Sequence, residues 1–129
     1  MPAEFCGFAV YVNPVADKSF TKEFKTKEGT TAFLTTGTFK VSFMNVDTGK
    51  TITGNATGPA TMTVFPDHSA TLTFHGVSLI IFTPDAAALF GTPTVFLESG
   101  RSTASFAPDG DLTSFSKGHI RLDVCAALS

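Results

Sequence analysis

The stretch Thr38-Phe39-Lys40-Val41-Ser42-Phe43 decides the fold class, because its polar and apolar side chains alternate strictly. Residues two apart in a β-strand point to the same face of a sheet, so Phe39, Val41 and Phe43 share one face. Similar alternation recurs on both sides of this stretch, with Thr at many facing positions and Gly, Pro, Asp or Asn at short intervals. This pattern is typical of antiparallel strands with one dry face.

Segments of this kind follow one another along the whole chain. We predict strands near residues 4–13, 19–26, 31–35, 38–46, 51–56, 60–65, 70–74, 77–82, 94–98, 102–107 and 113–124. Some should merge, which leaves eight or nine strands. The one helix-like piece is residues 84–91, which begins with Pro and ends with Gly and is long enough for a turn or two.

Three turns are marked by the residues that turns require, namely Asp47-Thr48-Gly49-Lys50, Pro66-Asp67-His68-Ser69 and Pro108-Asp109-Gly110-Asp111. Each should join a hairpin, so that strands adjacent in sequence are antiparallel neighbours in space. We therefore predict a single domain over residues 1–129, an antiparallel up-and-down β-barrel that is closed by its N- and C-terminal strands.

The two cysteines, Cys6 and Cys125, stand near the two ends of the chain and lack the short spacing of a metal or redox pair. A disulfide between them would tie the first strand to the last and would favour a secreted or cell-surface protein. Residues 1–5 have neither a basic start nor an apolar stretch, so a signal peptide is not expected in this chain. The alternative is two separate buried thiols in a cytoplasmic protein.

The alternation of side chains along the first and last strands predicts where the disulfide lies. Cys6 alternates with Phe5, Gly7, Ala9 and Tyr11 in the first strand, and Cys125 shares a face with His119, Arg121 and Asp123 in the last. A bridge on the outer wall would then direct Phe5 and Tyr11 into the barrel.

The composition excludes several classes of partner. Charged residues make up only 16% of the chain, the net charge is −2, and Lys and Arg are scattered, so nucleic acid is not an expected partner. No apolar run reaches the length of a membrane-spanning helix. Fourteen Phe, no Trp and one Tyr suit a dry interior, because Phe has no polar atom that needs a partner.

Several short motifs resemble those of a group of small exported actinobacterial proteins without assigned function. They are the Cys6-Gly7-Phe8 start, the Gly58-Pro59 step, the turns at residues 46–51 and 108–115, and the close Asp123-Val124-Cys125. The resemblance implies export and a β-fold rather than an activity. The architecture is also similar to lipocalins and to allene oxide cyclase and dirigent barrels, which is an analogy of fold alone.

The leading functional hypothesis is that an apolar small molecule binds in a Phe-lined lumen. The expected lining consists of Phe5, Tyr11, Phe39, Phe43, Leu72, Phe74 and Phe96. An eight-stranded barrel is barely wider than its own side chains, so a filled barrel, an exported structural or interaction module, is one alternative. The apolar residues 77–82 would then form a contact between copies of the chain.

A second alternative is a cofactor-independent cyclase or isomerase that folds a flexible polyketide- or terpenoid-like substrate, and it leaves open whether the protein is an enzyme. Its candidate catalytic residues are Tyr11, Glu98 and Arg101. Glu98 shares a face with Phe96, so a buried Glu98 would need a partner such as Arg101 or a raised pKa. His68, His75 and His119 have no metal-ligand spacing, so neither a metal nor a cofactor is predicted.

Overall fold

A computed structural model of the protein describes residues 1–26 and 28–129. The described residues form ten strands and two short helices. In chain order these are β1 (Val10–Lys25), β2 (Thr31–Asn45), β3 (Thr51–Asn55), β4 (Ala60–Val64), β5 (Ala70–Phe74), β6 (Ser78–Ile81), α1 (Pro84–Phe90), β7 (Val95–Ser99), β8 (Ser102–Phe106), β9 (Leu112–Ser116), β10 (His119–Asp123) and α2 (Val124–Leu128).

The strands form two antiparallel sheets. The larger has the order β1-β2-β4-β5-β8-β9, with β3 also paired to β2, and the smaller has the order β10-β7-β6. The protein is therefore mostly β and antiparallel, as the alternating pattern predicts. Closure of the first strand against the last stays a prediction.

The two sheets are halves of one meander of bent strands. Only two to four residues separate β3 from β4, β5 from β6, β7 from β8, and β9 from β10. The chain thus runs as six long strands, each antiparallel to the next along the sequence. The hairpins predicted at residues 47–50, 66–69 and 108–111 are confirmed, because they join β2 to β3, β4 to β5 and β8 to β9.

The hydrophobic core lies at one end of the meander, where β1, β2 and β3 face β7 and the helix α2. Val41 and Phe43 on β2 are buried there, and Phe39 packs against them half-buried, which confirms the dry face predicted for this strand. Gly54 on β3 allows the close approach of the two layers, since a Cβ at that position would lie 2.6 Å from Leu97 Cδ1. Side chains therefore pack between two sheets at this end.

At the other end, the larger sheet continues through β4, β5, β8 and β9. Met62, Leu72 and Ala104 lie side by side on one face of these strands. Thr61, Thr73 and Thr103 lie side by side on the opposite face. The alternation of apolar and hydroxyl side chains thus gives this half of the sheet one apolar face, as predicted for Leu72 and Phe74.

The two chain ends differ from the prediction. Residues 3–8 form turns, in which the Gly7 N–H donates to the Ala3 carbonyl at 2.7 Å and Gly7 itself has a φ of 81°. A strand cannot continue through this conformation, so β1 begins only at Val10. Val10 is buried and Tyr11 is 58% exposed, which makes the predicted inward direction of Tyr11 wrong.

The disulfide between Cys6 and Cys125 is confirmed, with a Cα–Cα distance of 5.1 Å. Its predicted place between two strand faces is wrong, because Cys6 precedes β1 and Cys125 lies in α2. The Asp123 side chain caps α2 by accepting from the Ala126 N–H at 3.1 Å, which ends β10 before Cys125. Both cysteines are half-buried and pack against the core.

Candidate functional site

A cluster of four Phe side chains joins the two sheets to α1. Phe82, which follows β6, has its ring centroid 5.0 Å from that of Phe115 on β9 and 5.9 Å from that of Phe90 on α1. Phe96 on β7 completes the cluster in edge contacts with Phe82 and Phe115. The rings meet edge-on or tilted, which is the arrangement that aromatic pairs favour.

Helix α1 is placed by strong end signals, and it brings Phe90 to this cluster. The Thr83 hydroxyl accepts from the Ala86 N–H at 3.3 Å, and Pro84 occupies the first turn. Gly91 ends the helix in the left-handed conformation with a φ of 67°, which only Gly adopts without strain. The helix predicted at residues 84–91 is thereby confirmed.

Beside this cluster is a cavity of about 310 Å³, between β6 and the apolar face of β5, β8 and β9. Every residue that lines it is apolar: Leu72, Phe74, Leu79, Ile80, Ile81, Phe82, Ala104, Phe106, Leu112 and Phe115. We refer to this space as the first cavity.

A second cavity of about 360 Å³ continues along the same sheet face. Its lining residues are Met62, Val64, His68, Ala70, Leu72, Phe106, Ala107, Pro108 and Gly110. Leu72 and Phe106 border both cavities, so the two form one apolar groove. Each volume lies in the range of small-molecule binding sites, which is about 300 to 1,000 Å³.

The second cavity ends at two polar turns. Among the lining residues of this cavity, His68 in the turn between β4 and β5 has a polar side chain, and its backbone has a φ of 71°. Asp67 Oδ1 accepts from the Ser69 N–H at 2.9 Å and from the Ser69 hydroxyl at 2.5 Å. These hydrogen bonds lower the pKa of Asp67, so its carboxylate is charged at neutral pH.

The predicted lining residues are divided between the groove and the core. Leu72 and Phe74 line the groove. Phe43 is fully buried in the core at the other end, where Phe5 and Phe39 pack against it. Two of the predicted lining residues lie elsewhere. Phe96 makes an edge contact with Phe82 in the Phe cluster, and Tyr11 is exposed at the surface.

The candidate catalytic residues do not come together. Glu98 on β7 is only 1% exposed, in a strand that is buried on both faces from Val95 to Glu98. Its carboxylate accepts from the Ser102 hydroxyl and, at 3.1 Å, from the Gly118 N–H. Arg101 is exposed and is not the partner of Glu98, because the short turn at Gly100 places Ser102 rather than Arg101 beside the carboxylate.

We predict that Glu98→Ala destabilises the protein by about 3 kcal/mol, because it leaves the buried Ser102 hydroxyl and the half-buried Gly118 N–H without their acceptor. Urea unfolding at neutral pH measures this change. The control is Glu4→Ala, since Glu4 is exposed and its loss should change stability by less than about 0.5 kcal/mol. Equal effects of the two substitutions would contradict a structural role for Glu98.

Sequence reasoning missed most of the groove. Phe82, Phe106, Leu112 and Phe115 were not among the expected lining residues, although residues 77–82 stood out as apolar on both faces. Simple alternation would assign Leu112 and Phe115 to opposite faces, because they are three residues apart. An irregularity between Ser105 and Phe106 shifts the register of β8 against β9, and both residues line the first cavity.

Within residues 1–26 and 28–129, no group of three His, Cys, Asp or Glu side chains is arranged to hold a metal ion. None of the helices in these ranges is long and apolar enough to cross a membrane. Comparison with protein-family models, with curated proteins and with solved structures found no match.

Proposed function

We propose that the protein binds an apolar small molecule in the groove formed by its two cavities. The observation that supports this is the composition of the lining: the first cavity has no polar side chain, and His68 alone carries a polar side chain in the second. Binding sites for small molecules are concave and mostly apolar, with a few polar groups that fix orientation.

The proposal includes the predicted barrel in a partly open form. Strands adjacent in sequence pair with one another, and the disulfide joins the segments that flank the first and last strands. In such a curved meander the apolar face of β5, β8 and β9 forms the wall on which a ligand lies. Pairing of β1 with β10 is not required for this wall to exist.

An extracellular location fits the same proposal. The disulfide is consistent with an oxidising compartment, and we infer that the protein acts as a secreted or surface-bound carrier or receptor for its ligand. Such a protein needs no catalytic group. The cyclase and the homo-oligomer through residues 77–82 stay predictions.

Binding of the neutral fluorescent probe N-phenyl-1-naphthylamine tests the proposal. We expect saturable fluorescence enhancement by the native protein and about tenfold weaker binding by Leu72→Asn, because Leu72 borders both cavities and an amide there removes apolar contact. The matched control is Leu34→Asn, which should bind as the native protein does. Leu34 lies in a strand of the same sheet but on the opposite face.

A second variant, Ala104→Leu, fills the first cavity instead of changing its polarity. It should also weaken binding of the probe. If circular dichroism shows that Leu72→Asn does not fold, probe binding by Ala104→Leu tests the proposal instead. Absence of binding to the native protein would reject the proposal. Unchanged binding by a folded Leu72→Asn and by Ala104→Leu would reject it as well.

A further inference from the structure

One edge of β6 is not paired with another strand in the part of the chain that the structure describes. β6 is the last strand of the smaller sheet, and β7 pairs with its other edge. The Phe82 N–H, just after β6, donates to the Thr94 carbonyl at 2.7 Å. Hydrogen-bonded pairs alternate along an antiparallel ladder, so Ile80 also bonds to β7, whereas the backbone N–H and C=O groups of Leu79 and Ile81 point away from it. We refer to this side of β6 as the open edge.

The edge is open because β3 does not continue beside β6. The Gly58 N–H donates to the Val77 carbonyl at 2.8 Å, just before β6 begins. Beyond this bond β3 packs against β7 instead, since a Cβ on Gly54 would be 2.6 Å from Leu97 Cδ1. Val77 lies two residues before Leu79, so its bond to Gly58 independently shows the direction in which the backbone groups of the open edge point.

The open edge faces the first cavity. Four consecutive residues, from Leu79 to Phe82, line this cavity. Successive side chains of a strand point to opposite faces and β7 covers the other edge, so a space that touches all four residues lies beside the open edge. Every lining side chain is apolar, so the polar atoms at the surface of this cavity belong to backbone N–H and C=O groups. β5 and β8 are paired on both sides, which leaves β6 and the sheet-edge strand β9 to supply unpaired ones.

We propose that the ligand of the groove is a short extended peptide, which adds as a strand to the open edge of β6. This inference rests on the proposed function and specifies the ligand of the same site. An extended peptide presents N–H and C=O groups at the spacing of those of Leu79 and Ile81, and its apolar side chains fill the cavity beside them. A hydrocarbon chain fills the cavity but leaves these backbone groups without partners, which costs free energy once water is displaced.

The two faces of the added strand meet different surroundings. Side chains on the face of Ile80 and Phe82 enter the first cavity, where Phe82 contacts Phe115. Side chains on the other face continue the row of Leu79 and Ile81, and Ile81 is 46% exposed. The peptide that fits therefore alternates apolar with hydroxyl side chains. β6 has four residues, so a peptide of roughly six residues extends past it by one residue at each end.

Displacement of N-phenyl-1-naphthylamine by the peptide acetyl-Thr-Val-Thr-Val-Thr-Val-amide tests the inference. Two derivatives accompany it, one N-methylated on its valines and the other on its threonines. Neighbouring N–H groups of a strand point to opposite edges, so only one derivative has its methyl groups on the side that meets β6. We expect the parent peptide and one derivative to displace the probe. The other derivative should be about tenfold weaker, because its methyl groups remove the donors and block the approach to β6.

Variants of the protein test the same hydrogen bonds from the other side. Ile81→Pro removes an N–H of the open edge and no bond to β7, which is a position where an edge strand tolerates Pro. Ile81→Ala is the matched variant, because both changes remove the same side chain and should weaken the neutral probe equally. The peptide should bind Ile81→Pro about tenfold more weakly than Ile81→Ala. Thr53→Pro, whose N–H also points away from its paired strand but does not border the groove, should bind the peptide as the native protein does.

The outcomes separate this inference from the function on which it rests. If the native protein does not bind the neutral probe, the proposed function is rejected and the inference with it. If the probe binds but the peptide does not displace it, or both methylated derivatives displace it as the parent does, only the inference is overturned. This comparison uses the native protein, so it holds even where Ile81→Pro does not fold. A dimer in light scattering that Ile81→Pro abolishes would place a second copy of the chain on the open edge and would also overturn the inference.

Discussion

Replacement of both cysteines, Cys6→Ser/Cys125→Ser, is expected to lower the free energy of unfolding by about 4 to 5 kcal/mol. The cysteines are 119 positions apart, so the disulfide closes nearly the whole chain into one loop. In the chain-entropy model, such a long loop restricts the unfolded chain strongly. The loss is a large part of the total stability of an ordinary domain, which is about 5 to 15 kcal/mol.

Guanidinium unfolding of the native protein with and without a reductant measures the same quantity without a substitution. The oxidised protein should unfold at the higher denaturant concentration, and the reduced protein should match the double Ser variant. A difference of less than about 1 kcal/mol would show that the packing of Phe5 and of α2 holds the chain ends together without the bridge.

The second large effect is expected from Phe43→Ala, which should lower the free energy of unfolding by about 3 to 5 kcal/mol. Phe43 is fully buried between β1, β7 and α2, and its removal leaves a cavity among side chains from both sheets. Because the neighbours belong to separate strands and a helix, they cannot easily collapse into the space. Urea unfolding followed by circular dichroism measures the loss.

Phe20→Ala is the matched control, since the same side chain on β1 is 65% exposed. Its replacement should change stability by less than about 0.5 kcal/mol. If the two Phe substitutions had similar effects, the core would not lie where Phe43 is packed. The Phe43 variant is also informative for binding, because Phe43 does not line the groove and a folded variant should bind the probe normally.

The sequence predicts the regular part of this fold well. Alternation identifies the dry faces of Val41 and Phe43 and of Leu72 and Phe74, because a strand allows only two directions for a side chain. Turn residues identify the hairpins for an equally local reason, since Gly and Asp supply conformations and hydrogen bonds that other residues supply poorly. These predictions depend on a few neighbouring residues.

The irregular positions are where the prediction fails. Gly7 in its turn moves the start of β1 to Val10, and a bulge between Ile120 and Leu122 disrupts the pairing of β10 with β7. Tyr11 is exposed because its predicted inward direction depended on Cys6 lying on the outer face of the same strand, and Cys6 precedes β1. The alternation of side chains alone reveals neither where a strand begins nor where a bulge lies.

The groove lies beyond local reasoning for another reason. Its lining comes from β4, β5, β6, β8 and β9, and these are brought together only when the long strands bend and the sheet divides. Residue type predicts that Phe106 and Phe115 face an apolar interior. Which interior they line depends on how the sheets pack, and the packing involves residues far apart in the sequence.

The disulfide has a topological consequence for this fold. With Cys6 joined to Cys125, the backbone between them is a covalent ring. Cutting one peptide bond of the ring opens it without dividing the molecule. A break at an exposed turn such as residues 47–50 would therefore give new chain ends to an otherwise connected protein, which is in effect a circular permutation made after folding.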